Sequence, residues 1–231
     1  MTSAFKGKLA GGECVVVLNV DHPSPSLVAS IGSLPVDAVF IDCEQGSADV
    51  ESVENMARAA RLTGKTSLVR LFDHSNWVVE RYLGRGVDGI VVPRLEVPAE
   101  AAAVVDAVRY CYPDTHADKV IVIQIETARA LAALEDFIAI AGVDVLFLGP
   151  VDLAKSLGHA GNHRHPAVQM ALRDAIGRIV RSGKAAGILV DRASAADWIR
   201  VGARFLYEHL DNFLALGAAE FTSCIAAARS S

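Results

Sequence analysis

Residues 120–153 read VIVIQIETARALAALEDFIAIAGVDVLFLGPVDL: a β-forming stretch, a helical stretch, and a second β-forming stretch that opens onto Gly149-Pro150. Val120 to Ile125 and Val145 to Leu148 have strand length, and Ala128 to Ile140 carries apolar residues at three-to-four spacing. The alternation extends in both directions. Cys14 to Leu18, Ala38 to Ile41, Ser67 to Leu71, Gly89 to Val92, Ala186 to Val190 and Arg204 to Tyr207 read as further strands. Ser47 to Leu62, Pro98 to Tyr110, Pro166 to Ser182 and Asp211 to Ala228 read as further helices. Strand then helix, eight times over, predicts an α/β fold of the (β/α)8 TIM barrel class. The rival, an open doubly wound sheet, lacks a Gly-rich fingerprint after its first strand.

Composition bounds the rest. Residues 1–231 show no linker or composition break and read as one domain; 52% are hydrophobic and only 6% aromatic, so the core is built from Ala, Val, Leu and Ile. The longest apolar stretches fall far short of a membrane span. Met1 to Ala10 carries Lys6 and Lys8 without the apolar centre of a secretory signal. Cys14, Cys43, Cys111 and Cys224 show no CxxC spacing, so a reducing cytoplasm is the expected location. A net charge of −5, with Lys and Arg spread along the chain, predicts a small-molecule partner rather than a nucleic acid.

A barrel carries its chemistry at the carboxyl ends of its strands. Those positions hold Asn19, Asp21 and His22; Asp42, Glu44 and Gln45; Arg70, Asp73 and His74; Pro93 and Arg94; Glu126; Asp152; Asp191 and Arg192; and Glu208 and His209. Glu126 and Asp152 follow successive strands, and Gln124 shares a strand face with Glu126. Two such acids can share a hard divalent cation such as Mg²⁺ or Mn²⁺, leaving positions for water and substrate oxygens. The plainer alternatives are that Asp152 is an N-cap and that Glu126 pairs with Arg129. Arg70 follows an apolar strand and can stabilise an enolate or alkoxide; its alternative is an ion pair with Asp42 or Glu44. Lys65, Lys119 and Lys184 precede strands and fall at the opposite face, so a Schiff-base mechanism has little support.

The segments Phe5-Lys6, Phe40-Ile41-Asp42-Cys43-Glu44, Val69-Arg70, Val91-Val92-Pro93, Gln124-Ile125-Glu126-Thr127 and Gly149-Pro150-Val151-Asp152-Leu153 resemble the HpcH/HpaI class II aldolase family, which includes 4-hydroxy-2-oxoheptanedioate aldolase. The likeness continues through Gly158, Gly161-Asn162 and Ser182-Gly183-Lys184 to Gly187-Ile188-Leu189. It implies that Glu126 and Asp152 bind Mg²⁺ or Mn²⁺, with Co²⁺ a further option. Gln124 and the backbone near Val151 and Asp152 would hold a pyruvate-like 2-oxo acid, and Arg70 would stabilise its enolate. It further implies a homo-oligomer, a hexamer built as a trimer of dimers, in which Asp211 to Ala228 is a helix exchanged between subunits.

Three departures stand out. Gln45 occupies the position of the family's histidine base, and an amide cannot take that proton. The acidic residue that supports this histidine aligns, without gaps, with Gly84. Tyr110 to Lys119 is short and lacks the family's Gly-x-Arg-Gly stretch, which reads as missing mouth cover. Asn19 also stands where many relatives have a bulky aromatic, and His209 where a small residue is common.

The chain therefore reads as a metal-dependent carbon–carbon lyase acting through a 2-oxo acid enolate. His22 or His74 would then substitute as base, or oxaloacetate would yield the enolate by losing CO₂. Two other readings are a citrate synthase-type condensing enzyme on the same barrel and a catalytically impaired 2-oxo acid binding protein.

Overall fold

Eight parallel strands close on one another in chain order: β1 (Val15–Asn19), β2 (Ala38–Asp42), β3 (Thr66–Arg70), β4 (Gly89–Val92), β5 (Val120–Ile125), β6 (Val145–Leu148), β7 (Ala185–Leu189) and β8 (Phe205–His209). The structure, a computed structural model, describes residues 4–229. The ends of the expected 1–231 domain, and Met1 to Ser3 of the amino-terminal segment, lie outside the described residues. The helices are α1 (Ala4–Ala10), α2 (Pro25–Ser30), α3 (Val50–Leu62), α4 (Asn76–Leu83), α5 (Pro98–Cys111), α6 (Ala128–Ala132), α7 (Leu134–Ala139), α8 (Pro150–Ser156), α9 (Pro166–Arg181), α10 (Ala195–Val201) and α11 (Leu210–Arg229). The (β/α)8 barrel expected from the alternation is the fold. Among the described residues, no helix is long and apolar enough to cross a membrane.

Local chemistry sets the helix starts. Pro25, Pro98, Pro150 and Pro166 open α2, α5, α8 and α9, where a missing N–H costs nothing and φ is already helical. Asp49 and Thr127 accept from Ser52 N and Ala130 N as N-caps of α3 and α6. The single helix expected over 128–140 is two, jointed at Ala133, with Ala130 buried in the first piece and Leu134 and Phe137 in the second.

Strand periodicity divides the core in two. Val15, Val17, Phe40, Leu68, Val122, Phe147, Phe205 and Tyr207 point into the barrel, while Leu18, Val39, Ile41, Val69 and Ile123 pack outward beneath the helices. Phe205 is fully buried and meets Phe147 and Phe5 edge-on at 5.8 and 6.2 Å, contacts worth about 0.5–1.5 kcal/mol each beyond area burial. β8 runs past the expected Tyr207 to His209, because pairing with β1 carries the backbone beyond its last apolar residue.

The end of the barrel where the strands begin carries an alternating ring of acids and lysines. Asp37, Asp88 and Asp144, placed just before β2, β4 and β6, accept from the backbone N–H of Val16, Ser67 and Ile121 in β1, β3 and β5 at 2.8, 2.9 and 2.9 Å. Lys65, Lys119 and Lys184, placed before β3, β5 and β7, donate to the carbonyls of Leu34 and Val36, of Val87, and of Ile140 and Val143. These lysines lie far from the mouth, as their positions in sequence imply. Tyr112 to Lys119 lies at this end too: Tyr112 Oη donates to Leu83 O, and Lys6 Nζ to Ala117 O. The reading of this short segment as missing mouth cover is therefore corrected, since a chain leaving a helix returns to the end where the next strand begins.

α11 stands apart. Leu210 is its one buried residue, and Phe213, Leu214, Leu216, Phe221 and Ile225 are all exposed.

Candidate active site

At the carboxyl ends of the strands the inward positions turn from apolar to polar. Asn19, Asp42, Arg70, Gln124 and His209 each stand two residues beyond an inward apolar side chain or at the last inward position of a strand. Register sets Asp42 beside Arg70 and Asn19 beside His209. With Glu126, Gln45, Val151 and Asp152 they line a cavity of about 410 Å³ floored by Phe40, Phe147 and Tyr207. The residues expected from sequence to hold metal or 2-oxo acid or to stand beside it, Arg70, Gln45, Gln124, Val151, Asp152 and Glu126, lie on this one cavity.

Arg70 is the hub of a charged chain. Its Nε and Nη2 donate to Asp42 Oδ1 and Oδ2 at 2.9 and 2.5 Å, and its Nη1 pairs with Glu44 Oε2 at 3.0 Å. Burial pushes the Asp42 carboxyl up, but the Arg70 hydrogen bonds and charge, with the N–H groups of Gln45 and Glu44, outweigh it and hold Asp42 below the usual range. Burial pulls Arg70 down, and Asp42 and Glu44 more than restore it. Glu44 Oε1 binds Arg94 Nε at 2.5 Å, and Arg94 N donates to Glu126 Oε1 at 2.7 Å. Arg94 has φ 60, a left-handed conformation unusual for a side-chain-bearing residue, at the point where its N–H meets Glu126.

Glu126 is 5% exposed. Burial, reinforced by the charges of Glu44 and Asp152, pushes its carboxyl up to about 6 against the opposing Arg94 N–H. Gln124 Nε2 donates to Glu126 Oε2 at 3.0 Å, while Gln124 Oε1 is buried with no hydrogen-bond partner. Asp152 lies in the first turn of α8, whose N-cap is Gly149, and accepts from Lys155 at 2.8 Å. Neither plainer alternative is found: Asp152 is not the N-cap, and Arg129 pairs with Glu96 at 3.3 Å. The alternative for Arg70 is found, since its ion pairs with Asp42 and Glu44 are made within the cavity wall.

These residues fit a hard divalent cation. The donors are carboxylate oxygens, the negative charge around Glu126 is incompletely balanced, and the orphaned Gln124 Oε1 lies beside them. Among the described residues no group of three or more His, Cys, Asp or Glu is placed to hold a metal, so two acids would leave the remaining positions to water and substrate. Gly149 makes room for this arrangement, because a Cβ there would lie 2.8 Å from Glu126 Cβ and 2.9 Å from its Oε2. Gly149→Ala is therefore expected to weaken Mn²⁺ binding by about 10-fold or more through displacement of Glu126, which titration calorimetry would read. Unchanged affinity would mean that Glu126 is not a ligand.

His22 and His74 do not line the cavity; His74 Nε2 lies 3.9 Å from Glu100 at the surface. Neither is placed to substitute for a base at position 45. Gly84 is the C-cap of α4 and lies off the cavity, so within one chain it marks no lost partner of Gln45. The sequence reading left out a pair that the barrel closure creates: His209 Nδ1 meets Asp21 Oδ1 at 2.6 Å across 188 residues of chain. Period-2 counting from Tyr207 puts His209 inward, and that was the signal available.

The sequence model of the HpcH/HpaI aldolase/citrate lyase family matches residues 16–213. The chain is 33% identical over 224 residues to a pyruvate aldolase of Rhizobium etli, covering 87% of this chain and 88% of that one. It is 30% identical over 234 residues to a hydroxypyruvate/pyruvate aldolase of Pseudomonas aeruginosa, covering 91% and 87%. The crystal structure of an HpcH/HpaI aldolase/citrate lyase family protein from Burkholderia cenocepacia superposes with TM-score 0.89 at 27% identity, covering 97% of this chain and 99% of that one.

Proposed function

Because the chain belongs to the HpcH/HpaI aldolase/citrate lyase family and is a carbon–carbon lyase of the aldolase type, we propose that it acts through the enolate of a pyruvate-like 2-oxo acid. The observation that carries this reading is the buried Glu126, raised to about 6 beside Asp152 and the unpartnered Gln124 Oε1. Glu126 and Asp152 would hold Mg²⁺ or Mn²⁺, which when bound supplies a Lewis acid for the 2-oxo carbonyl. Arg70, Arg94 and Lys155 offset only part of the charge of Asp21, Asp42, Glu44, Glu126 and Asp152, and the excess negative charge that remains suits a divalent cation.

The chain's own residues then do the positioning. Arg70, clamped on two sides, presents a fixed guanidinium toward developing negative charge without reorganising. Gln124, held by Glu126, and the N–H groups of Val151 and Asp152, which precede the first helical hydrogen bond of α8 (Leu153 N to Gly149 O), orient the acid. Gln45 stands at the rim with its backbone N–H on Asp42 and leaves that edge without a titratable side chain. The apolar face of α11 supports exchange of this helix between copies in a homo-oligomer.

Purified protein assayed with oxaloacetate, and with pyruvate plus small aldehydes, is expected to turn over with added Mg²⁺, Mn²⁺ or Co²⁺ and to stop in chelator. Tight binding of metal and pyruvate without turnover would instead identify a binding protein. Absence of both binding and turnover would end the enolate reading.

A further inference from the structure

We infer that His209, oriented by Asp21, is the general base of this site, doing from the end of β8 what the residue at position 45 cannot. The inference rests on the aldolase reading above and adds to it the group that moves the proton. Of the chain's seven histidines, His209 is the one that lines the cavity containing Glu126, Gln124 and Arg70.

The pair is rigidly held. Asp21 Oδ1 takes His209 Nδ1 at 2.6 Å, its own N–H donates to Asn19 Oδ1 at 3.0 Å, and its Oδ2 accepts from Asp211 N at 3.4 Å. Its φ of 58 is left-handed, a conformation that a non-glycine residue keeps when its surroundings over-determine it. The other ring nitrogen is defined by Tyr207 and Asn19. Asn19 Nδ2 donates to Tyr207 Oη at 2.8 Å, so the phenol proton is left to point at His209 Nε2, 3.4 Å away. Burial holds Tyr207 above the usual phenol range, so that proton stays on. Nε2 is then the acceptor and Nδ1–H the donor to Asp21, the tautomer a base on the cavity side requires. Asn19, Tyr207 and Asp21 line the same cavity, so the whole relay faces the substrate space.

The proton steps balance. In cleavage, the substrate 4-hydroxyl takes the place of Tyr207 Oη at the one Nε2 lone pair; Nε2 accepts its proton, the oxygen forms the aldehyde carbonyl, the C3–C4 bond breaks, and its electron pair enters the C2–C3 enolate. The imidazolium, paired with Asp21, returns the proton to C3 and regenerates the neutral ring. In the absence of an aldehyde the same nitrogen exchanges the C3 protons of pyruvate with solvent.

The test compares two reactions of the Mn²⁺-loaded protein. Loss of CO₂ from oxaloacetate yields the enolate without a base, whereas deuterium exchange into the pyruvate methyl group, read by proton NMR, needs one. In His209→Asn and His209→Gln the ratio of exchange to decarboxylation is expected to fall by about 100-fold or more, the range that a positioned base contributes. In Asp21→Asn the same ratio should fall about 10-fold. Nitrogen-15 imidazole shifts of the metal-free wild type should show the Nδ1–H tautomer, and Asp21→Asn should change it. A variant that loses both reactions and its thermal transition has misfolded, and the tautomer measurement on the wild type then decides. An unchanged ratio in the folded variants, or an Nε2–H tautomer in the wild type, overturns the assignment while leaving the aldolase reading standing. A wild type that neither decarboxylates oxaloacetate nor exchanges pyruvate removes both.

Discussion

Arg70→Ala should lower stability by about 3–5 kcal/mol at pH 7 and slow turnover by about 10²–10³-fold, the first because it strands buried carboxylates, the second because it removes a fixed donor. The Arg70, Asp42 and Glu44 side chains are only 13%, 11% and 7% exposed, so water cannot replace what the guanidinium supplies. Asp42 sits below its usual range in the fold, so its stabilising contribution is present above the unfolded carboxyl value and fades as pH falls through the folded one. The penalty of Arg70→Ala should therefore be largest at neutral pH and shrink below the unfolded carboxyl value, which urea unfolding at about pH 7 and about pH 3 would resolve. Arg70→Lys keeps one charge but loses the two-pronged contact, and should fall between. A loss under about 1 kcal/mol for Arg70→Ala would show that the clamp is not a stabilising element.

Glu126→Gln should do the reverse to the metal-free fold. A carboxyl whose folded value is about 6 against 4.5 binds more protons folded than unfolded, so stability falls as pH rises between them. At about 1.4 kcal/mol per unit, charged Glu126 costs about 2 kcal/mol above that window. The neutral amide removes this cost, and chelator-treated Glu126→Gln should melt roughly 4–8 °C above wild type at pH 8, with the difference gone below pH 4.5. Mn²⁺ affinity should drop by about 10²-fold or more in the same variant. A variant no more stable than wild type at pH 8 would mean that Glu126 is well solvated or paired, and the argument for its strained charge would fail.

How much of this was legible in sequence depends on the distance over which each relation acts. Gln124 and Glu126 share a face because they are two residues apart at the end of one strand, a local relation that is found. Asp152 was read as a strand-end acid or an N-cap, and the short helix that Pro150 opens, with Asp152 in its first turn, was not read. The Arg70 to Asp42 pair needed only adjacent strands of a barrel. Arg94 was named, but not its contact, because a left-handed turn that aims a backbone N–H at Glu126 leaves no mark in residue type. His209 and Asp21 meet only because β8 closes onto β1, and Asp21 owes its position to the same kind of turn. The 110–119 segment was assigned to the wrong end even though barrel topology alone decides it.

The ring of Asp37, Asp88 and Asp144 with Lys65, Lys119 and Lys184 bears on how this protein can change. Each acid reads one N–H of the neighbouring strand, so a one-residue slip would leave that acid without its partner and turn the slipped strand's side chains to the opposite face. Strand alignment is thus policed at the end remote from the chemistry. Substitutions at the mouth are tested by selection for what they do to substrate and not for whether the sheet still closes. A barrel secured in this way can move a proton-handling residue from one strand to another over its history without passing through a misaligned intermediate.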